Sequence, residues 1–262
     1  MQGEIASING TTCPVAEALI PVTDEGLLRG DGVFEVMRLY GGRPFALQEH
    51  IERLVGSAAN LRLPFDVDRL GVEIEGLLAE YGQRDGCLRV VVTRGGNRIL
   101  LTEPMPEIGL TVRLASVIYQ PTIVLDGVKS LSYAANMLAG RIAVEKGADE
   151  ALLVTPEGNV LEAPTSTLFW VEGGEVFSPP LADRILESIT RRYVFSITGA
   201  TERSTSLEAM LESADEAFLA STTREVQAVS AIDARSFDGP GPVTSDLAER
   251  LHGLVTEALQ AT

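Results

Sequence analysis

The stretch from Lys129 to Trp170 constrains the fold most. It opens on a lysine at the head of an amphipathic pattern that spaces Ala135, Leu138 and Ile142 as one inward helix face and ends at Gly147. The period then changes. Gly147-Ala-Asp-Glu-Ala-Leu-Leu-Val154 reads as a loop entering a buried strand. A β-meander is expected over Ala151–Val154, Val160–Glu162, Leu168–Val171 and Val176–Ser178, with turns at Pro156-Glu-Gly158 and Gly173-Gly174. Within it, Glu162 sets a carboxylate just before the small-residue turn Ala-Pro-Thr-Ser-Thr167.

Upstream, residues 2–8 alternate loosely and meet Asn9-Gly10, a strong hairpin signal. A glycine-rich turn over Gly26–Gly32 leads to a strand, Val33–Tyr40, which stops at Gly41-Gly42 and returns over Arg43–Leu47. Gln48–Leu63 has helical spacing, with Ile51, Leu54, Val55 and Ala58 on one face. His50 and Arg53 lie three apart and share a side of that helix, which by pattern alone suits a solvated face. A second helix spans Asp66–Tyr81 and stops at Gly82. The strand Cys87–Thr93 runs into a loop, Arg94-Gly-Gly-Asn-Arg98, that carries two guanidinium groups, and Thr111–Ile118 is another strand. Gln120-Pro121-Thr122 interrupts the pattern and suits a domain boundary. Further on lie a helix, Leu186–Ile197, a strand, Ala217–Ala220, followed by Ser221-Thr-Thr223, and a final helix, Ser245–Leu259, with Leu247, Leu251, Leu254 and Leu259 inward.

Composition narrows the chemistry. With 21 Lys plus Arg against 37 Asp plus Glu, the net charge of −16 argues against nucleic acid and anionic membranes as partners. Two cysteines, Cys13 and Cys87, are too few for a disulfide framework and fit a reducing compartment. The first residues lack a basic head and an apolar run, and no apolar stretch reaches the length of a bilayer span, so a cytoplasmic protein is expected. The two histidines, His50 and His252, sit in no hydrolase or metal motif, so no metal site is expected.

A lysine that forms an imine must be partly desolvated, so that its amine is neutral near pH 7. Lys129, within Val128-Lys-Ser-Leu131, meets that description only weakly alone. Its companions raise it: Arg29-Gly-Asp-Gly-Val-Phe-Glu35, His50-x-x-Arg53-Leu54, Asp149-Glu-Ala-Leu-Leu153, Glu162-Ala-Pro-Thr-Ser-Thr-Leu-Phe169, Leu186-x-x-Ile-Thr-Arg191 and Ser221-Thr-Thr-x-Glu225. In this order the series resembles the class IV, fold-type IV, pyridoxal phosphate enzymes, from about residue 5 to residue 258.

The resemblance implies an α/β (α+β) fold in two domains. A small α/β domain would cover residues 1–118 and a linker 119–123; a larger pseudo-barrel domain at 124–262 would bind the cofactor. It makes Lys129 the residue that carries pyridoxal 5'-phosphate as an imine. It implies that Arg53 meets the phosphate, that Ile189 and Thr190 give it backbone N–H groups behind Ser188, and that Thr222 adds a hydroxyl. Glu162 would bind the pyridine nitrogen and Leu186 would pack on the ring face. Substrate contacts would come from Arg29, Phe34, Val36, Arg94, Arg98 and Thr223, an amino donor and a keto acid being the partners. The family also implies a homodimer with its active site at the interface. Ala163, Thr167 and Ser188 depart from the family's usual Gly, Asn and Gly.

Subtype stays open. Val36 and Lys129-Ser-Leu are closest to D-amino acid aminotransferases. Phe34 replaces their tyrosine, however, and the Arg94–Arg98 loop lacks their histidine. Branched-chain aminotransferases and aminodeoxychorismate lyases remain alternatives, and R-configured primary amines are further candidate donors. The favoured expectation is transamination of a D-amino acid.

Overall fold

The computed structural model describes residues 3–260. Contacts divide the chain into two units, one running to Pro106 and including Gly127–Tyr133, the other holding Glu107–Asp126 and everything from Ala134 on.

In the first unit β1 (Ile5–Ile8) and β2 (Thr11–Pro14) form the expected hairpin. Its turn residues Asn9 and Gly10 both have positive φ, 53° and 89°, as a type I′ turn requires. The glycine-rich segment beyond is not a plain turn. It is a short helix, α1 (Glu25–Arg29), capped by Asp24, which accepts from Gly26 N at 2.7 Å, and ended by Gly30 at φ 68°. After β3 (Gly32–Tyr40) the returning strand shrinks to β4 (Arg43–Pro44). Pro44 has no N–H to extend the ladder, and Ala46 at φ 56° turns the chain into α2 (Leu47–Asn60). Asp66 caps α3 (Val67–Tyr81) by accepting from Arg69 N at 3.0 Å, and Gly82 ends it. Next come β5 (Gly86–Thr93) and β6 (Arg98–Glu103). β6 has no counterpart among the expected elements, because its apolar run is short and charged at both ends.

The sheet order is β2-β1-β6-β5-β3-β4, antiparallel throughout. One face carries Val33, Met37, Leu39, Leu88, Val90 and Val92 onto Leu54 and Ala58 of α2 and Leu70, Ile74 and Leu77 of α3. Val55, expected on that inward face, is 37% exposed, since one residue past Leu54 is about 100° round the helix.

The second unit begins with β7 (Thr111–Ile118), α4 (Ala134–Glu145), β8 (Glu150–Val154), β9 (Thr167–Glu172) and β10 (Glu175–Ser178). It continues through α5 (Ile189–Thr198), β11 (Thr201–Glu202), α6 (Leu207–Ser213), β12 (Glu216–Ser221), β13 (Glu225–Ile232), β14 (Arg235–Ser236) and α7 (Pro242–Gln260). Its sheet runs β11-β10-β9-β12-β13-β7-β8, with β14 on β13. Of the expected meander, the β9–β10 hairpin is present, and the Val160–Glu162 segment returns antiparallel along β8, with Leu161 N donating to Leu153 O and Leu153 N to Glu162 O, each at 2.9 Å. β8 pairs in parallel with β7, and Val160 makes a single bridge to Val154. That pairing draws β7 into this unit, whereas the sequence boundary was expected after it, at residues 119–123.

Strand β9 is apolar on both sides because both sides are covered. Leu168 and Trp170 pack with Met210 and Leu219, while Phe169 and Val171 pack with Val194, Phe218 and Leu247. Helix α4 keeps Ile142 of its expected inward face against the core but leaves Ala135 and Leu138 exposed. Ala139 and Ala143 are buried against Ala115 and Leu153, and Leu138 is 52% exposed. Alanines let helix and strands approach closely, which outweighs the larger side chains' preference for the interior. In α7 the buried set is Leu247, Leu251, Val255 and Leu259, so Val255 takes the place expected for Leu254. Among the described residues, no helix is long and apolar enough to cross a membrane.

Candidate active site

Lys129 lies outside α4, on the extended strap Gly127–Tyr133 that belongs to the first unit. Strand β4 covers the edge of β3 only at Leu39 and Tyr40, and the strap fills the open end. Phe34 N donates to Lys129 O at 3.1 Å, Leu131 N donates to Gly32 O at 2.9 Å, and Ser130 bridges to Val33. From the other side Lys129 N donates to the buried Ser57 Oγ at 3.1 Å. The half-buried side chain puts Nζ 4.5 Å from the centroid of the Phe34 ring, whose neighbour Tyr133 stands edge-on at 5.3 Å. The position is thus fixed through backbone on two sides.

Beside it lies a cluster whose anchor the sequence reading passed over. Glu35 falls on the core-facing register of β3, between Val33 and Met37, and is fully buried. Arg53 grips it through Nε and Nη2, each at 2.7 Å, and His50 Nδ1 lies 2.7 Å from the same carboxylate. Burial works against the charge on Glu35, but hydrogen bonds from Arg53 and His50 outweigh it and hold the carboxyl at about 2. Burial pushes His50 down, Arg53 and Lys129 adding to that against the pull of Glu35, so a neutral His50 donates its Nδ1–H. Arg53 is therefore no solvated residue: its guanidinium plane is set by Glu35 and its side chain is 14% exposed. The missed signal was a carboxylate on a buried register followed by two basic residues three apart.

The opposite face of the same sheet carries Phe34, Val36 and Arg38 from β3. Ladder partners on that face are Val91 and Arg89 from β5, with Ile99 and Leu101 beyond them on β6. Arg38 stacks over Tyr40 at 4.5 Å, and Arg89 donates to Glu103 at 2.9 Å. Neither arginine was singled out in the sequence. The three that were have other neighbours. Arg29 pairs with Glu25 on the surface, and Arg94 binds Asp31 and the carbonyls of Leu61 and Arg62. Arg98 forks onto Glu73 with 11% exposure, and that bond holds its guanidinium above the usual range.

In the second unit Glu162 continues the chain from the Val160 bridge, and its Oε1 accepts from Leu186 N at 3.1 Å. Burial first, then the Glu162 charge, push up the phenol of Tyr119. Ser188 caps α5 by accepting from Arg191 N at 3.4 Å, which leaves Ile189 and Thr190 in the first turn, where N–H groups lack intrahelical acceptors. Thr222 and Thr223 sit in the tight β12–β13 connection, closed by the Ser221–Glu225 pair with Glu225 at φ 55°. Among the described residues, no cluster of His, Cys, Asp and Glu is arranged to hold a metal.

Comparison with known proteins places the chain in a family. A family model described as "Amino-transferase class IV" matches residues 32–232. A putative branched-chain-amino-acid aminotransferase of Methanocaldococcus jannaschii is 34% identical, the match covering 95% of this chain and 96% of that one. A D-alanine aminotransferase of Bacillus licheniformis is 30% identical over 94% of this chain and 95% of its own. The crystal structure of a branched-chain aminotransferase from Thermoproteus uzoniensis with norvaline superposes with a TM-score of 0.89 at 29% identity, covering 97% and 95% of the two chains. The chain belongs to the class IV aminotransferases, and its fold is that of the fold-type IV transaminases.

Proposed function

We propose that the chain is a transaminase in which Lys129 carries pyridoxal 5'-phosphate, the cofactor of this family. The single observation that supports this most is the placement of Lys129, half-buried and held on two sides by backbone hydrogen bonds to Phe34 and Ser57. Each unit carries donors of the kinds that cofactor calls for: in the first the Lys129 amine, suited to an aldehyde, and the Arg53 guanidinium, suited to a phosphate; in the second the Glu162 carboxylate, suited to a ring nitrogen, and the N–H groups that open α5, suited to a phosphate. When bound, the cofactor supplies an electron sink for charge released at the substrate α-carbon.

The residues then divide the work. With the cofactor bound, the Lys129 amine would take the substrate's α-proton as general base and, as the resulting ammonium, give that proton back as general acid. Glu162, oriented by Leu186 N–H, keeps the ring nitrogen protonated, and Leu186 packs on the ring. In the first unit Arg53, its plane set by Glu35, would be a phosphate ligand, and in the second unit so would Ser188, Ile189, Thr190 and Thr222. Phe34, Val36 and Thr223 contact the substrate. For its carboxylate the candidate cations are Arg29, Arg94 or Arg98, and also Arg38 or Arg89, the last two sharing the Phe34–Val36 face.

Our reading of the donor is a D-amino acid, with pyruvate or 2-oxoglutarate as acceptor and R-configured amines as further candidates. A second reading, L-branched-chain donors, draws support from the half-buried apolar row Val36, Val91, Ile99 and Leu101, which suits an aliphatic side chain. The family's dimeric assembly is also proposed here. Leu19, Val22, Leu27 and Leu28 are each more than half exposed in the first unit, as are Leu110, Ile123 and Val124 in the second, a pattern suited to burial against another copy. The experiment is a set of single-turnover reactions following the loss of the bound cofactor's visible absorbance. D-alanine or D-glutamate should bleach it faster than L-leucine; the reverse order supports the branched-chain reading, and no bleaching by any amino acid refutes transamination.

A further inference from the structure

Glu150, the first residue of β8, is a carboxylate with 8% of its surface exposed and no role in the chemistry above. Arg224 Nη2 pairs with its Oε2, and Thr165 Oγ1 donates to its Oε1 at 3.1 Å. Arg224 also donates to Gln227 Oε1, and Gln227 Nε2 donates in turn to Gly109 O at 2.8 Å. An ion pair inside one sheet is commonly structural, so what matters is where its arms attach. Thr165 sits three residues past Glu162, in the turn that follows the proposed ring-nitrogen ligand. Arg224 follows Thr223 directly, in the connection that bears the proposed phosphate ligand Thr222. Two loops assigned above to opposite ends of one cofactor thus share a single buried carboxylate.

We propose that Glu150 is a positioning residue: through Arg224 and Thr165 it fixes the Thr222–Thr223 turn relative to the Glu162 turn, and so pre-sets the span between the cofactor's phosphate and ring-nitrogen contacts. The inference rests on the pyridoxal phosphate reading. A cradle with a preset span binds a two-handled ligand tightly because neither loop must be ordered on binding. A ligand that lacks the phosphate handle gains much less from the preset span.

The test compares how the cofactor-stripped protein rebinds pyridoxal 5'-phosphate and pyridoxal, by absorbance titration. Glu150→Gln and Arg224→Gln should each weaken pyridoxal phosphate by about tenfold, the scale on which outer partners of a ligand set act. Pyridoxal should shift by less than about twofold. Because Arg224→Gln leaves a buried carboxylate without its cation, the Glu150→Gln/Arg224→Gln variant is needed as well. It should fall no further than the worse single change, since both act through one contact. Unchanged pyridoxal phosphate affinity in all three variants, or equal weakening of both ligands, overturns the proposal. Thr222→Ala separates the two layers. If it weakens pyridoxal phosphate while the Glu150 and Arg224 variants do not, the cofactor reading stands and the clasp falls; if the unmodified protein binds no pyridoxal phosphate, both fall.

Discussion

Replacing Glu35 by glutamine removes the charge around which Arg53 and His50 are organised. The magnitude follows from the carboxyl itself. Its ordinary value of 4.5 drops to about 2 in the folded chain, and at about 1.4 kcal/mol per pKa unit the ionised form contributes about 3 kcal/mol of stability. Breaking a buried pair by removing one partner costs on the same order, about 3–5 kcal/mol. The sign is that of a depressed acid. The contribution is complete above 4.5, declines as pH falls below that, and is gone near 2. Urea unfolding followed by far-ultraviolet circular dichroism should therefore put Glu35→Gln about 3 kcal/mol below the unmodified protein at pH 7. The gap between the two should close as pH is lowered through 4.5 towards 2. A variant within about 0.5 kcal/mol of the parent at pH 7, the range of ordinary surface changes, refutes the reasoning. So does a gap that stays constant with pH.

Glu162→Gln should retain the cofactor yet slow the amino-acid half-reaction by at least ~10²-fold, as removal of a preorganised transition-state charge does; near-parental turnover in stopped-flow traces refutes its role. Steady-state kinetics of Arg89→Gln should show KM for the amino acid raised roughly 10- to 100-fold, the loss of one charge-assisted bond of about 1.5–3 kcal/mol. Arg98→Gln, by contrast, should lower thermal stability with KM little changed, because it strands Glu73, which is 6% exposed; the opposite assignment of effects makes Arg98 the carboxylate anchor. Glu216 accepts from Val243 N at 3.0 Å, Thr244 N at 2.8 Å and Thr244 Oγ1 at 2.6 Å, and so caps α7 from a neighbouring strand. Glu216→Ala should cost about 1–2 kcal/mol, and scanning calorimetry should find Tm lower by about 2–8 °C; an unchanged Tm means the cap contributes nothing.

What could be read in advance depended on whether the signal was local. Asn9-Gly10 and the Gly82 stop are decided by residues that touch in sequence, and each appears as expected. Helix α4 is different: its periodicity points Leu138 inward, but the strands beneath it bury Ala139 and Ala143, with Ile142 partly buried beside them. Strand order is non-local as well, so nothing in the run from β8 to β10 told that β8 pairs with β7. The candidate site shows the same contrast. Lys129, Glu162, Ser188 and Thr222 stood out through motif order alone. Glu35, Arg38 and Arg89 owe their placement to sheet register. Glu150 and Arg224 are 74 positions apart, and only the folded sheet joins them.

The central claim is that Lys129 carries the cofactor. The chain offers one competitor, Lys146, whose Nζ donates to Ser116 O at 2.7 Å in the second unit. Borohydride reduction of the purified yellow protein, followed by digestion and mass spectrometry, should find the phosphopyridoxyl mass on the peptide containing Lys129, and Lys129→Ala should carry no such adduct and no transamination activity. Label on Lys146, or a labelled and active Lys129→Ala variant, contradicts the account.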